Sequence, residues 1–340
     1  MPADTLRAPA APASGQRAGP LARKPWWPKA KKWLGIAFIV LVLVLVAKLA
    51  SGMDWAKAWA SLKQTPPLTL ALAALLAAAS HVVYATYDLI GRHETRHGLP
   101  VRRTMRVAFT SYAFNLNLGS LVGGVAFRYR LYSRLGLEVA DVTRVLALSM
   151  LTNWLGYVML GGLVLLLAPP AMPEDWALSR AAMPLVGWAL IGVATLYVAL
   201  TLFSRRREWT VRGHVLKLPS GRLAVMQLLL SMGSWMLIAC IVWVLLQQRV
   251  AYPEVLAALL LAAVAGVITH VPAGLGVLEA VFIAMLSSRV PQHELLAALL
   301  AYRALYYLAP LAVACFFFWR FERRAPQVAP AQASEGKPGG

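Results

Sequence analysis

The stretch His270-Val271-Pro272-Ala273-Gly274-Leu275-Gly276-Val277-Leu278-Glu279 interrupts an apolar run over residues 255–286. Proline removes a backbone donor and clashes with a continuing helix, and glycine admits positive φ, so the run predicts two helices joined by a tight turn. In hydrocarbon such a turn is costly, because its freed N–H and C=O groups find no water. Irregular backbone at membrane depth persists where it is buried in protein or lines a polar cavity. His270 and Glu279 flank the turn, and ionisable groups within membrane segments are by default candidates for a functional site. The alternative sets the turn at the membrane surface with both side chains solvated.

Composition supports the membrane setting. Of 340 residues, 59% are hydrophobic and 14% charged, and the mean hydropathy is +0.63, which is the profile of a polytopic membrane protein. Cys240 and Cys315 lie in apolar runs and supply neither a disulfide framework nor a CxxC metal motif. The chain has no Walker loop, HExxH, GxSxG or paired zinc ligands, so nothing in it supports nucleotide hydrolysis or a metal-dependent reaction, and no cofactor or metal is expected. The net charge of +19 is read by its distribution across the membrane, not as a nucleic-acid footprint.

Residues 1–32 are rich in Ala and Pro with no apolar period, and predict a disordered basic cytoplasmic tail. Spans follow at 33–50 and 67–90, with Trp55 and Trp59 between them suited to an interfacial belt and His81 and Asp88 in the second span. Residues 108–127 are apolar but hold Asn115, Asn117, Gly119, Gly123 and Gly124, and basic stretches flank them on both sides. Both flanks obey the positive-inside rule only if this segment enters and leaves on the cytoplasmic face, so it predicts a re-entrant hairpin. Spans at 145–168 and 182–203 enclose an acidic loop with Glu174 and Asp175, and a strongly basic loop leads to a span at 223–246. The broken run 255–288 then opens and closes outside, because the last span, 295–319, ends at Arg320, Arg323 and Arg324 before a polar tail, 321–340, expected to be disordered and cytoplasmic.

This threading puts 26 of the 33 Lys and Arg on the cytoplasmic side, six outside and Arg303 within the last span. The expected fold is therefore an all-α integral membrane protein, with about six spanning helices and two oppositely oriented re-entrant helical hairpins. The order span, span, hairpin, span occurs in residues 33–168 and again in 182–320 from the opposite face. That is an inverted-topology repeat, an arrangement that places binding sites at the midplane between broken elements.

Helices restarting after such turns direct uncompensated N–H groups and a positive dipole end inward, which favours a phosphate or carboxylate. In the first hairpin the candidate substrate-binding residues are Asn117, Gly123, Gly124 and Arg128. In the second they are His270, Pro272, Gly274, Gly276 and Glu279, with Arg303 and Tyr306 from the last span. Arg128 offers a forked donor matched to phosphate, or else contacts headgroups passively. Arg303 within a span needs a partner, for which Glu279 is the choice, or else it snorkels to the outer interface. Asn115 and Asn117 meet substrate or satisfy broken backbone, and the Tyr302, Tyr306 and Tyr307 cluster serves packing or ligand contact.

Thr269-His270-Val271-Pro272-Ala273-Gly274-Leu275-Gly276-Val277-Leu278-Glu279, with Tyr302-Arg303-Ala304-Leu305-Tyr306-Tyr307 and Pro310, resembles the N-terminal membrane domain of the lysylphosphatidylglycerol synthase and flippase family, the multiple peptide resistance factor. Asn117, Gly123-Gly124, Arg128 and Tyr132 are similar to its first-hairpin pattern, and the resemblance covers roughly residues 33–320. Ala273 stands where the family usually has the first glycine of a Pro-Gly-Gly turn. The resemblance implies a bacterial inner-membrane protein handling phospholipids, anionic or aminoacylated. Twenty residues follow Arg320, where synthase members carry a soluble acyltransferase-like domain, so the resemblance is to the stand-alone YbhN-like branch and implies no aminoacyltransferase activity. Two functions are thus in view: a phospholipid or lipid-linked headgroup translocator, or a non-transporting lipid-binding partner of a separate lipid synthase or glycosyltransferase.

Overall fold

The computed structural model describes residues 55–170, 181–204, 208–211, 214–269 and 271–324. The expected first span at 33–50, the N-terminal tail, residues 325–340, the acidic loop with Glu174 and Asp175, and His270 lie outside the described residues; residues 321–324, expected to open the disordered tail, instead continue the last helix to Arg324. In chain order the helices are α1 (Trp55–Gln64), α2 (Pro67–Ala85), α3 (Tyr87–Thr95), α4 (Val101–Leu118), α5 (Phe127–Arg134), α6 (Val139–Leu167) and α7 (Met183–Phe203). They continue with α8 (Gly221–Leu245), α9 (Tyr252–Thr269), α10 (Val277–Leu286), α11 (Gln292–Tyr302) and α12 (Ala309–Arg324). Wider π-helical turns, Ser120–Ala126 and Arg303–Leu308, join α4 to α5 and α11 to α12.

Six helical stretches among the described residues are long and apolar enough to cross a bilayer: Pro67–Thr95, Val139–Leu167, Met183–Phe203, Gly221–Leu245, Tyr252–Thr269 and Gln292–Phe321. Five coincide with expected spans. The sixth, Tyr252–Thr269, is the first limb of the broken run; its 18 residues reach about 27 Å at 1.5 Å per residue. These helices are apolar on nearly every face, as expected where one side meets lipid and the other meets neighbouring helices. Where they touch, small residues let backbones approach: a Cβ on Gly156 of α6 would come within 2.4 Å of Met232 N on α8.

The all-α expectation needs one correction. Within the basic loop, Glu208–Val211 pairs antiparallel with His214–Lys217, in the register Glu208↔Lys217 and Val211↔His214. Trp209, Thr210, Val211 and Val215 are strand-favouring types, so local preference prevails outside the apolar spans.

The main core gathers α2, α8, α9, α10 and α11 around Val255, Leu259, Phe282, Leu295, Leu299 and Tyr302. A buried polar ladder ties α6, α7 and α8 together. Tyr197 donates to Gln227 Oε1 at 2.9 Å, and Gln227 Nε2 donates to Thr152 Oγ1 at 2.9 Å. The buried Gln227 and Thr152 side chains thereby each keep a partner.

Candidate functional site

α9 stops at Thr269, and the chain passes through a single tight turn at Pro272–Gly274 before α10 begins at Val277. Ala273, Gly274 and Gly276 all take positive φ, at 57°, 57° and 77°. For the two glycines this costs little; for Ala273 it is the left-handed conformation that L-residues avoid. Gly276 N–H donates to Glu279 Oε2 at 3.0 Å, so the carboxylate caps the restarted helix.

Arg303 closes the turn from the last span. Its Nε donates to Glu279 Oε1 at 2.6 Å and its Nη2 to Glu279 Oε2 at 3.0 Å. The same guanidinium donates to the carbonyls of Ala273 and Gly274, both at 3.0 Å. The broken helix leaves those carbonyls without helical donors, and Arg303 supplies them. The arginine–carboxylate pairing expected from sequence is present, with both side chains largely buried.

The first break follows the same logic with a different cluster. α4 ends at Gly119 (φ 83°, ψ 168°), and the chain doubles back through Ser120–Ala126. A Cβ on Gly123 would lie 2.2 Å from Phe114 C and Asn115 N, so the returning strand of chain touches bare backbone there. Phe114 and Phe127 stack across the fold at 4.0 Å. Asn117 Nδ2 donates to Ala113 O at 2.8 Å and to Tyr307 O at 3.3 Å, fastening this break to the π-helical turn that begins with Arg303.

Arg128 is 2% exposed and faces Asp88, itself 0% exposed. Nε and Nη2 donate to the two Asp88 oxygens at 3.1 Å each, Nη2 also reaches Ser149 Oγ at 3.2 Å, and Nη1 reaches Gly124 O at 3.3 Å. Tyr132 donates a further bond to Asp88 Oδ2 at 2.8 Å. Sequence reasoning singled out Arg128 but left Asp88 without a role and passed over Ser149. The available signal was the ionisable Asp88 in a predicted span; its partner, 40 residues on, is fixed only by packing.

The two breaks adjoin. α4 packs against the Pro272–Gly274 turn, and both α4 and α2 pack against Arg303–Leu308. Between them Tyr306, 1% exposed, shares a hydrogen bond with Tyr112 at 2.9 Å and with Ser80 at 3.3 Å. His81 lies against the Tyr306, Tyr112 and Phe109 rings, and its Nδ1–H donates to Ala77 O at 2.9 Å. Tyr306 thus sits in a polar seam between the breaks, while the Pro272 backbone forms the turn itself. Among the described residues no group of three or more His, Cys, Asp or Glu is arranged to hold a metal ion.

Residues 32–314 match the family described as the lysylphosphatidylglycerol synthase TM region. The chain belongs to that family. Among its relatives, inner membrane protein YbhN of Escherichia coli (strain K12) is 40% identical over 305 residues, covering 89% of this chain and 96% of that protein. An uncharacterized protein of Synechocystis sp. is 28% identical over 292 residues, 85% of this chain and 90% of its own length. Phosphatidylglycerol lysyltransferase of Staphylococcus aureus (strain MRSA252) is 24% identical over 285 residues, 82% of this chain but 32% of the lysyltransferase. The family match contains both broken elements and the Asp88–Arg128 and Glu279–Arg303 pairs. Family membership, the YbhN similarity and the six apolar helices together make the chain a multi-pass inner-membrane protein.

Proposed function

We propose that this chain is a translocator of phospholipids or lipid-linked headgroups in the inner membrane. The observation that carries the reading is the meeting of two interrupted helices, α4 at Gly119 and α9 at Pro272–Gly274, each beside a charge pair within an apolar protein. In this reading the two elements are re-entrant hairpins opening to opposite faces, the halves 33–168 and 182–320 are an inverted repeat, and both termini are cytoplasmic. A headgroup then moves along the seam between the breaks while its acyl chains stay in the bilayer.

Crossing bare hydrocarbon is slow because a headgroup must shed its hydration, so polar groups along the path accelerate it. Each guanidinium at the breaks already faces a carboxylate. The substrate therefore meets neutralised pairs, turn backbone and hydroxyls, and anionic or aminoacylated lipids are the proposed class. Asn117, Gly123, Gly124 and Arg128 would form one wall, and the Pro272 backbone with Gly274, Gly276, Glu279, Arg303 and Tyr306 the other; His270, outside the described residues, stays a candidate from sequence. A separate lipid-modifying enzyme is the proposed supplier of substrate.

The test is leaflet exchange in liposomes. Purified protein should raise the exchange rate of a fluorescent anionic phospholipid above the protein-free rate, and Gly274→Leu/Gly276→Leu should lower it at equal folded content. Exchange at the protein-free rate for every phospholipid and lipid-linked sugar tried, with and without proton and sodium gradients, would replace translocation by the lipid-binding-partner reading.

A further inference from the structure

A cavity of about 490 Å³ lies at the far end of α4 from Gly119, away from both breaks. Arg103 and Arg106, one turn apart on α4, line it together with Arg320 of α12, and Arg134 of α5 completes the basic rim. Among the described side chains no carboxylate lines the cavity, and among the described residues Arg103, Arg106 and Arg320 form no ion pair. Phe316 and Phe317 of α12 form an aromatic wall beneath the charges. The Arg106 guanidinium lies 5.8 Å from the centre of the Phe317 ring, and that of Arg320 5.8 Å from the centre of the Phe316 ring. Those ring faces hold the long side chains at the mouth of the cavity.

The combination is specific in its chemistry. The like charges of Arg103, Arg106 and Arg320 around one apolar hollow repel each other, an expense the fold offsets when a multivalent acceptor such as a phosphodiester is seated among them. An aromatic floor would not serve a free anion, which gains nothing from it, but it accommodates the glycerol and first acyl carbons of a lipid. The site also sits where the last span meets water, on the side that the basic distribution assigns to the cytoplasmic leaflet.

We propose that this cavity binds an anionic phospholipid, its phosphate among Arg103, Arg106 and Arg320 and its acyl region against Phe316 and Phe317. The site uses none of the residues at the breaks, and it is occupied whether or not the protein moves lipid between leaflets.

The full-length protein in detergent is titrated with dioleoyl phosphatidylglycerol or dioleoyl phosphatidylcholine, and bound lipid is counted by native mass spectrometry. Wild type should retain the anionic lipid on the order of tenfold more tightly than the zwitterionic one. Arg103→Gln/Arg106→Gln should weaken that binding by roughly thirtyfold, each arginine near an anionic headgroup being worth about fivefold. Arg96→Gln/Arg102→Gln removes the same charge from exposed positions outside the cavity and should leave affinity within about twofold of wild type. Equal losses in the two double variants would mean diffuse attraction and would overturn the site. So would displacement of the lipid by inorganic phosphate or glycerol phosphate at matched concentration, which would make it a free-anion site. The wild-type comparison stands apart from folding of any variant, and absence of preference there also overturns the proposal. Because no leaflet exchange is measured, failure here leaves the translocation reading untouched.

Discussion

Removing Arg128 should destabilise this protein far more than removing it together with Asp88. The two side chains are 2% and 0% exposed, joined by two charge-assisted hydrogen bonds at 3.1 Å. In Arg128→Gln the Asp88 carboxyl group keeps only the Tyr132 hydroxyl and loses its guanidinium partner at a fully buried position. Breaking a buried pair in this way costs about 3–5 kcal/mol, a large share of the ~5–15 kcal/mol that holds a typical domain together. Asp88→Asn strands the guanidinium with Ser149 Oγ and the Gly124 carbonyl, and a similar loss follows. In Asp88→Asn/Arg128→Gln no net charge is buried, two amides of near-native shape face each other, and the expected loss falls to about 1–2 kcal/mol. Unfolding in mixed micelles of rising dodecyl sulfate content, followed by tryptophan fluorescence, measures all four proteins of the cycle. A coupling of at least ~2 kcal/mol is expected. Additive single losses would show that the pair contributes nothing as a pair and would refute the reasoning.

Gly123→Ala should sharply lower the yield of folded protein, since its Cβ would sit 2.2 Å from Phe114 and Asn115 backbone, whereas Gly161→Ala, with its nearest neighbour at 3.7 Å, should be tolerated; equal yields would contradict the close approach. Ala273→Gly relieves a positive φ of 57° and should stabilise by about 0.5–1 kcal/mol once the greater freedom of the unfolded chain is subtracted, so a lower unfolding midpoint would argue against the left-handed turn. In a Cys240→Ala/Cys315→Ala background, single cysteines from Gly98→Cys and Glu138→Cys should both react only with impermeant reagent applied from the cytoplasm. Labelling of position 138 from outside would remove the first re-entrant hairpin and with it the inverted repeat.

The apolar runs carried the membrane architecture in the sequence itself, because the hydrocarbon core admits only backbone that satisfies its own hydrogen bonds, and length plus composition then mark each span. The breaks were equally legible, since Pro272, Gly274 and Gly276 act on local φ and hydrogen bonding. Glu279–Arg303 was within reach for a related reason: a lone arginine in a span demands a nearby acid, and the turn offered one. Asp88–Arg128 was not, although both residues were visible, because nothing local to residue 88 chooses between the several arginines on either side of the first break. Packing of α3, α5 and α6 makes that choice, and it turns Arg128 from a presumed free donor into half of a buried pair. Tertiary structure alone also set Tyr306 against Tyr112 and Ser80, and gathered Arg103, Arg106 and Arg320 around Phe316 and Phe317. Such groupings depend on helix rotation and tilt, which hydrophobicity cannot specify where lipid and protein interior are almost equally apolar; close side-chain fit and hydrogen bonds decide them instead.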